Sequence, residues 1–230
     1  LLYGSVNAVR QYDLKAILAY STVSQLGLIM SLLGIGSAAL YFGYGDESVV
    51  YATAVFAAIF HLVNHSTFKG SLFMIIGIID HETGSRDIRR LGGLMHIMPV
   101  SFTIAVIGSF SMAGLPPFNG FLSKEMFFNA VVLIRDLPAF NMDTFGVLFP
   151  VVAWIASVFT FIYSMIIVFK TFAGKYEEER FIKPPAHEAP FGMLIPPIIL
   201  ALFVVGIFFF PNGLGRTLLE PARSEEHTSE

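Results

Sequence analysis

Two histidines and a lysine recur at four-residue intervals, His61, His65 and Lys69, inside the otherwise apolar run FHLVNHSTFKGSLF. On a helix, positions i, i+4 and i+8 share one face, so the three form a stripe. Imidazole titrates near neutrality and has two nitrogens, one to accept a proton and one to donate it. A water-bridged pair with a lysine beyond it can pass protons along the helix. Hydrogen-bonded packing histidines are the other reading of the same spacing. Metal binding lacks support, because no thiolate or carboxylate lies at suitable spacing, and DHETG at 80–84 lacks the second histidine of the HExxH zinc motif.

Two more lysines stand among apolar residues. Lys124 lies in GFLSKEMFF, just after the Pro-Pro pair of GLPPFNG, and Lys15 lies in QYDLKAILAYS. A lysine facing lipid at mid-depth costs a few kcal/mol or more, so such residues face a bundle interior or a wet cavity. Lysine can change charge within a transport cycle, whereas arginine stays protonated. Glu125 neighbours Lys124 but points about 100° away on a helix, so it does not neutralise it in cis. Glu125, Asn64 and Ser24 are the polar groups that could support the same path. For Lys15 a snorkelling position at the interface competes with a role in the bundle, and Asp13, two residues away, is poorly placed as its same-face partner. For Lys124 the competing reading is an anchor at the outer interface. Trp154 and the Phe-rich faces read as packing or lipid contacts. Nothing resembles a nucleotide loop, a haem attachment or a quinone-specific motif, so no cofactor is expected.

These side chains must be carried by membrane helices. Of 230 residues 55% are hydrophobic and only 13% charged, with net charge −3 and mean hydropathy +0.70. Soluble domains carry about 25% charge, and the apolar runs here reach the ~20 residues that cross a bilayer. The sequence therefore predicts an all-α, polytopic membrane helical bundle, with spans near 15–42, 51–79, 97–133, 146–169 and 191–210. The third is too long for one plain crossing, and GLPPFNG should break it. Five spans place Arg10, Arg86, Arg89, Arg90, Lys170, Lys175, Arg180 and Lys183 on one side and only Arg135 and Arg216 on the other. The positive-inside rule puts the first group in the cytoplasm. A reentrant third segment would invert the later spans and weaken this contrast. No cysteine is present, so disulfide and thiol chemistry are excluded, and no basic cluster suits nucleic acid.

The chain opens on LLYGSVNAVR, without Met, which reads as the inner end of a helix that begins earlier. RSEEHTSE at 223–230 back-translates to a common sequencing-library adapter and is expected to be non-native. The expected organisation is a partial proton-conducting membrane domain over 1–170 and a cytoplasmic linker over 171–190. A further transmembrane helix and the start of an extension follow over 191–222.

QYDLKAILAYSTVSQLG, FHLVNHSTFKGSLF and GLPPFNGFLSKE resemble, in order and spacing, the antiporter-like proteins of the respiratory complex I membrane arm and of Mrp-type cation/proton antiporters. IIDHETGSRDIRRLGG and SMAGLPPFNGFLSKEMFF are similar to the A-type branch of the Mrp family. The resemblance implies the later part of the second of two inverted five-helix repeats, with a broken helix bearing an ionisable residue. It implies a proton relay of Lys15, His61, His65, Lys69 and Lys124. It further implies exchange of cytoplasmic Na+ for external H+, partner Mrp subunits in a hetero-oligomeric complex, and a multi-pass place in the bacterial inner membrane. The alternatives are a proton-pumping subunit of an NADH:quinone oxidoreductase, a membrane subunit of a hydrogenase, and a non-conducting structural subunit. Glu125 stands where some complex I relatives carry aspartate.

Overall fold

The structure, a computed structural model, describes residues 1–42, 49–134 and 146–214 except 178, 180, 182 and 184. The expected adapter stretch, Arg135, Arg180 and Arg216 lie outside the described residues. Within them the chain is helical: α1 Leu2–Val9, α2 Leu14–Tyr41, α3 Val49–Thr83, α4 Pro99–Ala113, α5 Asn119–Leu133, α6 Leu148–Phe172, α7 Phe191–Phe209 and the single turn α8 Pro211–Leu214. Four of these, α2, α3, α6 and α7, are each long and apolar enough to cross a membrane. The long third apolar run is split into the shorter apolar helix α4 and the helix α5, an interruption that its Pro-Pro pair predicts.

α3 is the axis of the bundle and packs against α2, α4, α5 and α7. Its buried residues fall into two apolar clusters. One joins Phe68, Leu72, Ile75 and Ile79 to Leu14, Leu18, Ile104 and Tyr163. The other joins Ala54, Ala57 and Ala58 to Leu28, Leu32, Phe127 and Val131. The polar stripe runs between them. α3 extends past the predicted end at 79, because Thr83 Oγ1 donates back to Ile79 O at 2.7 Å and the helix stops only at Gly84, whose φ is +71°.

The loops predicted to be cytoplasmic meet at one end. Asp13 caps α2, its Oδ1 accepting from Lys15 N at 2.8 Å and Ala16 N at 3.1 Å, the usual use of an acidic N-cap. Leu14 N donates to Arg86 O at 3.0 Å and Ile88 N to Tyr12 O at 2.9 Å, tying the loop after α3 to the start of α2. In that loop Arg89 donates to Asp87 at 2.6–3.2 Å, and this pairing holds the Asp87 carboxyl down to about 2. The segment after α6 folds back over the same end. Glu188 accepts from Val100 N at 2.8 Å, Ser101 N at 3.3 Å and Ser101 Oγ at 2.6 Å, which caps α4 from 88 and 87 residues away. Gly93, with φ +71°, lies so close to the Tyr176 backbone that a Cβ there would overlap it.

Candidate functional site

The stripe of His61, His65 and Lys69 faces inward along its whole length, the three residues being 1%, 8% and 4% exposed. An unpaired ammonium there would be costly, and α2 supplies its partners. Lys69 Nζ donates to Leu18 O at 3.0 Å and to Ser21 Oγ. It also lies 6.0 Å from the centre of the Phe73 ring. Leu18 and Ser21 follow Lys15 by about one and two turns, so α2 carries both Lys15 and the partners of Lys69.

His65 and His61 stack, ring centres 6.3 Å apart. His61 is held on both nitrogens, Nδ1 2.9 Å from Ser123 Oγ and Nε2 2.9 Å from Gln25 Oε1. An amide oxygen only accepts, so Nε2 carries the hydrogen and Nδ1 accepts from the Ser123 hydroxyl. Gln25 Nε2 in turn donates to Tyr163 Oη at 3.1 Å. If Nδ1 gains a proton, Ser123 must turn its hydrogen elsewhere, and Gly120 O stands 3.3 Å from Ser123 Oγ as the second acceptor. His65 Nε2 and Asn64 Oδ1 are buried with no protein partner. Buried polar atoms of this kind suit ordered water.

The broken crossing delivers Lys124. α4 ends in a Schellman turn, Leu115 N donating to Phe110 O at 3.0 Å and Gly114 N to Ser111 O at 2.9 Å. Gly114 adopts the left-handed conformation at φ +81°. Ala113 O, freed by the break, accepts from Lys124 Nζ at 2.9 Å. Ser111 Oγ donates to Asn119 Oδ1 at 2.7 Å and accepts from Gly120 N at 3.1 Å, which sutures α4 to α5. α3 completes the suture: Asn64 Nδ2 donates to Asn119 O at 3.1 Å and Asn119 Nδ2 to Thr67 Oγ1 at 3.1 Å. No Cβ fits at Gly120, which rests on the Ser111 carbonyl. Fifteen residues of α4 span about 22 Å, short of a hydrocarbon layer of ~30 Å. At 7% exposure Lys124 is an interior group rather than an anchor at the outer interface.

Lys15 occupies a different setting. Its side chain is 42% exposed and its Nζ lies 3.2 Å from Asp80 Oδ2. It stands at the end gathered by the basic loops, where a snorkelling lysine would also stand, but with a carboxylate for partner. Asp13 is not that partner; it caps α2 and pairs with Arg86 at 3.3 Å. Of the supporting residues, Ser24 and Asn64 are fully buried, whereas Glu125 is exposed and the fold does not bring it to Lys124.

Sequence reasoning did not find Asp80, Gln25, Ser123, Tyr163 or the Ser111–Asn119 suture. One signal was available for Asp80: it follows Lys69 by 11 residues, three helical turns, and so continues the stripe. Gln25 and Tyr163, 138 residues apart, carry no local pattern that would pair them.

The family described as NADH:quinone oxidoreductase/Mrp antiporter, TM, matches residues 1–149. The A-type Na(+)/H(+) antiporter subunit of Alkalihalophilus pseudofirmus is 64% identical over 96% of this chain, and the chain spans only 28% of that relative's length. A chain of the Mrp complex from Dietzia sp. superposes with a TM-score of 0.71 at 33% identity, over 96% of this chain and 21% of the other. A chain of respiratory complex I from Thermus thermophilus shares the fold, with a TM-score of 0.70 at 20% identity over 94% of this chain and 39% of the other. With a break in the third crossing, a row of buried histidines and lysines, and a match over residues 1–149, this multi-pass membrane chain belongs to the NADH:quinone oxidoreductase/Mrp antiporter transmembrane family.

Proposed function

We propose that the chain is the proton-conducting part of the A-type subunit of a multisubunit Mrp antiporter, which exchanges cytoplasmic Na+ for external H+. The observation that carries this reading is the buried row Lys69, His65, His61, Ser123 and Lys124, which runs from the α2–α3 contact to the broken crossing. Protons enter near Lys124, pass by way of Ser123 and His61 to His65 and Lys69, and leave past Lys15. Like charges along such a row bias one another, so that movement of one proton changes the next site's affinity. Sodium moves by a coupled route elsewhere in the assembly, and the other Mrp subunits complete it in the bacterial inner membrane. Residues 1–170 form the conducting domain, 171–190 the cytoplasmic linker and 191–222 a further membrane helix leading to an extension; 223–230 are non-native. The 64% identity to an Na+/H+ antiporter protein favours this over a redox-driven pump, with which the chain shares fold at 20% identity.

The test is sodium-dependent proton exchange in everted vesicles carrying the complete complex with Lys124→Ala, with assembly checked in the same membranes. Loss of exchange at normal assembly supports the relay. Unchanged exchange refutes a conducting role for Lys124 and leaves a purely structural role as the reading.

A further inference from the structure

The motif HETGSRD and the aspartate before it take no part in the relay so far, yet they form the only described ion-pair network that touches a relay lysine. Lys15 Nζ lies 3.2 Å from Asp80 Oδ2, and Arg86 Nε lies 3.9 Å from that same oxygen. Arg86 Nε also lies 3.3 Å from Asp13 Oδ2. Two cations thus contend for one carboxylate oxygen, and one of them has a second carboxylate in reserve.

The scaffold around this contest is fixed while the side chains are not. Arg86 is pinned by its carbonyl, which accepts from Leu14 N at 3.0 Å, and Gly84 N donates to Asp80 O at 2.9 Å. Asp13 commits Oδ1 to the α2 cap and leaves Oδ2 for Arg86. The other charges nearby are already engaged: Glu82 stands between His81 at 2.9 Å and His187 at 3.2 Å, and Asp87 pairs with Arg89, whose guanidinium covers the Tyr12 ring at 4.6 Å. By contrast Lys15, Asp80 and Arg86 are 42%, 33% and 40% exposed, and pairs exposed to this degree are worth at most about 1 kcal/mol. Exchanging one cation for the other on Asp80 is therefore cheap, and Arg86 cannot give up its own proton.

We propose that Asp80 and Arg86 form an ion-pair exchange gate at the cytoplasmic mouth, in which Asp80 receives Lys15 when Lys15 carries the transported proton and returns to Arg86 when that proton leaves. In one half of the cycle neutral Lys15 takes a proton from the Lys69 side, becomes an ammonium, and displaces Arg86 from Asp80 Oδ2. The structure shows this paired arrangement. In the other half Lys15 passes its proton to cytoplasmic water, the neutral amine loses its hold on Asp80, and Arg86 bridges Asp80 and Asp13. One proton enters and one leaves; while Lys15 is neutral, Arg86 is shared between two carboxylates and the remaining single negative charge stands at the half-exposed mouth, where water screens it. This inference rests on the proposed relay, and it adds two residues and a role for the loop.

The test uses the complete complex in everted vesicles, with exchange measured from about pH 6 to about pH 9 and normalised to assembled protein. A carboxylate beside an ammonium favours the charged form. Asp80→Asn should therefore move the pH profile of exchange toward acid, and Arg86→Gln, which leaves Asp80 to Lys15 alone, should move it toward alkali. Each shift should be on the order of half a pH unit, and Asp80→Glu should restore the wild-type profile. Equal losses with unmoved profiles, or profiles that move in the same direction, overturn the gate. If Asp80→Asn does not assemble, Arg86→Gln decides alone, and an unshifted profile overturns the proposal. Lys124→Ala in the same series separates the two readings. Loss there with wild-type behaviour of the gate variants refutes the gate only, and retention in Lys124→Ala refutes the relay beneath it.

Discussion

Gly114→Ala tests whether conduction depends on the placement of Lys124 rather than on its mere presence. Gly114 sits at φ +81°, and a Cβ built there would lie 2.5 Å from Lys124 Cδ, 3.4 Å from Cε and 3.5 Å from Cγ. Ordinary contact begins at about 3.5 Å, so the lysine stem must retreat by about an ångström. Holding alanine in the left-handed conformation adds roughly 1 kcal/mol of backbone cost, small against the packing of a helical bundle. The retreat draws Nζ off Ala113 O, now 2.9 Å away, and hydrogen bonds to charged groups contribute about 1.5–3 kcal/mol. Losing the lower end of that range corresponds to about a tenfold change in rate. Sodium-dependent exchange should therefore fall about tenfold while assembly, followed by blue-native electrophoresis, stays near wild type. Wild-type exchange in a normally assembled Gly114→Ala complex would refute the claim that this contact poises Lys124.

Two further outcomes are expected. Ser123→Ala leaves His61 Nδ1 without its 2.9 Å partner, an unsatisfied buried group worth about 1–3 kcal/mol; exchange should drop at least several-fold, with Ser123→Thr recovering part of it in the same vesicle assay. Glu188→Gln weakens the three contacts that cap α4, at a cost of about 1 kcal/mol. It should speed amide hydrogen exchange at Val100 and Ser101, read by mass spectrometry, and leave the Lys69 end of the relay unaffected.

The parts of this architecture that are legible in the sequence are those written at short range. Apolar run lengths mark the crossings, and Pro116 and Pro117 mark the break. Four-residue spacing correctly turns His61, His65 and Lys69 to the interior. Partners across the bundle are not legible, because nothing local ties Lys15 to Asp80, 65 residues on, or Lys69 to the Leu18 carbonyl, 51 residues back. Adjacency also misleads. Glu125 neighbours Lys124 in sequence yet faces outward, while Ser123, on its other side, turns in to His61. Asp13 is near Lys15 in sequence, but its first oxygen is claimed by backbone amides that any helix start must satisfy.

The choice of acceptors explains how such a row can hold charge without trapping it. The described hydrogen-bond acceptors of Lys69 are the Leu18 carbonyl and the Ser21 hydroxyl, and that of Lys124 is the Ala113 carbonyl. A carboxylate in their place would form a buried ion pair, and opening it would strand a charge in low dielectric at a cost of several kcal/mol. A carbonyl imposes no such penalty: an ammonium donates to it, and so does the neutral amine, so the contact survives in either protonation state. The cost falls on the backbone. Ala113 O is available only because α4 stops at Gly114, so the broken helix supplies an acceptor that a continuous helix would have used itself. The one described carboxylate given to a relay lysine, Asp80 on Lys15, sits at the half-exposed mouth, where water screens the pair and lets it open. Interior sites with neutral partners and a mouth with a charged one are therefore two solutions to the same requirement of the proposed relay, that each of its lysines be able to lose its proton and take another.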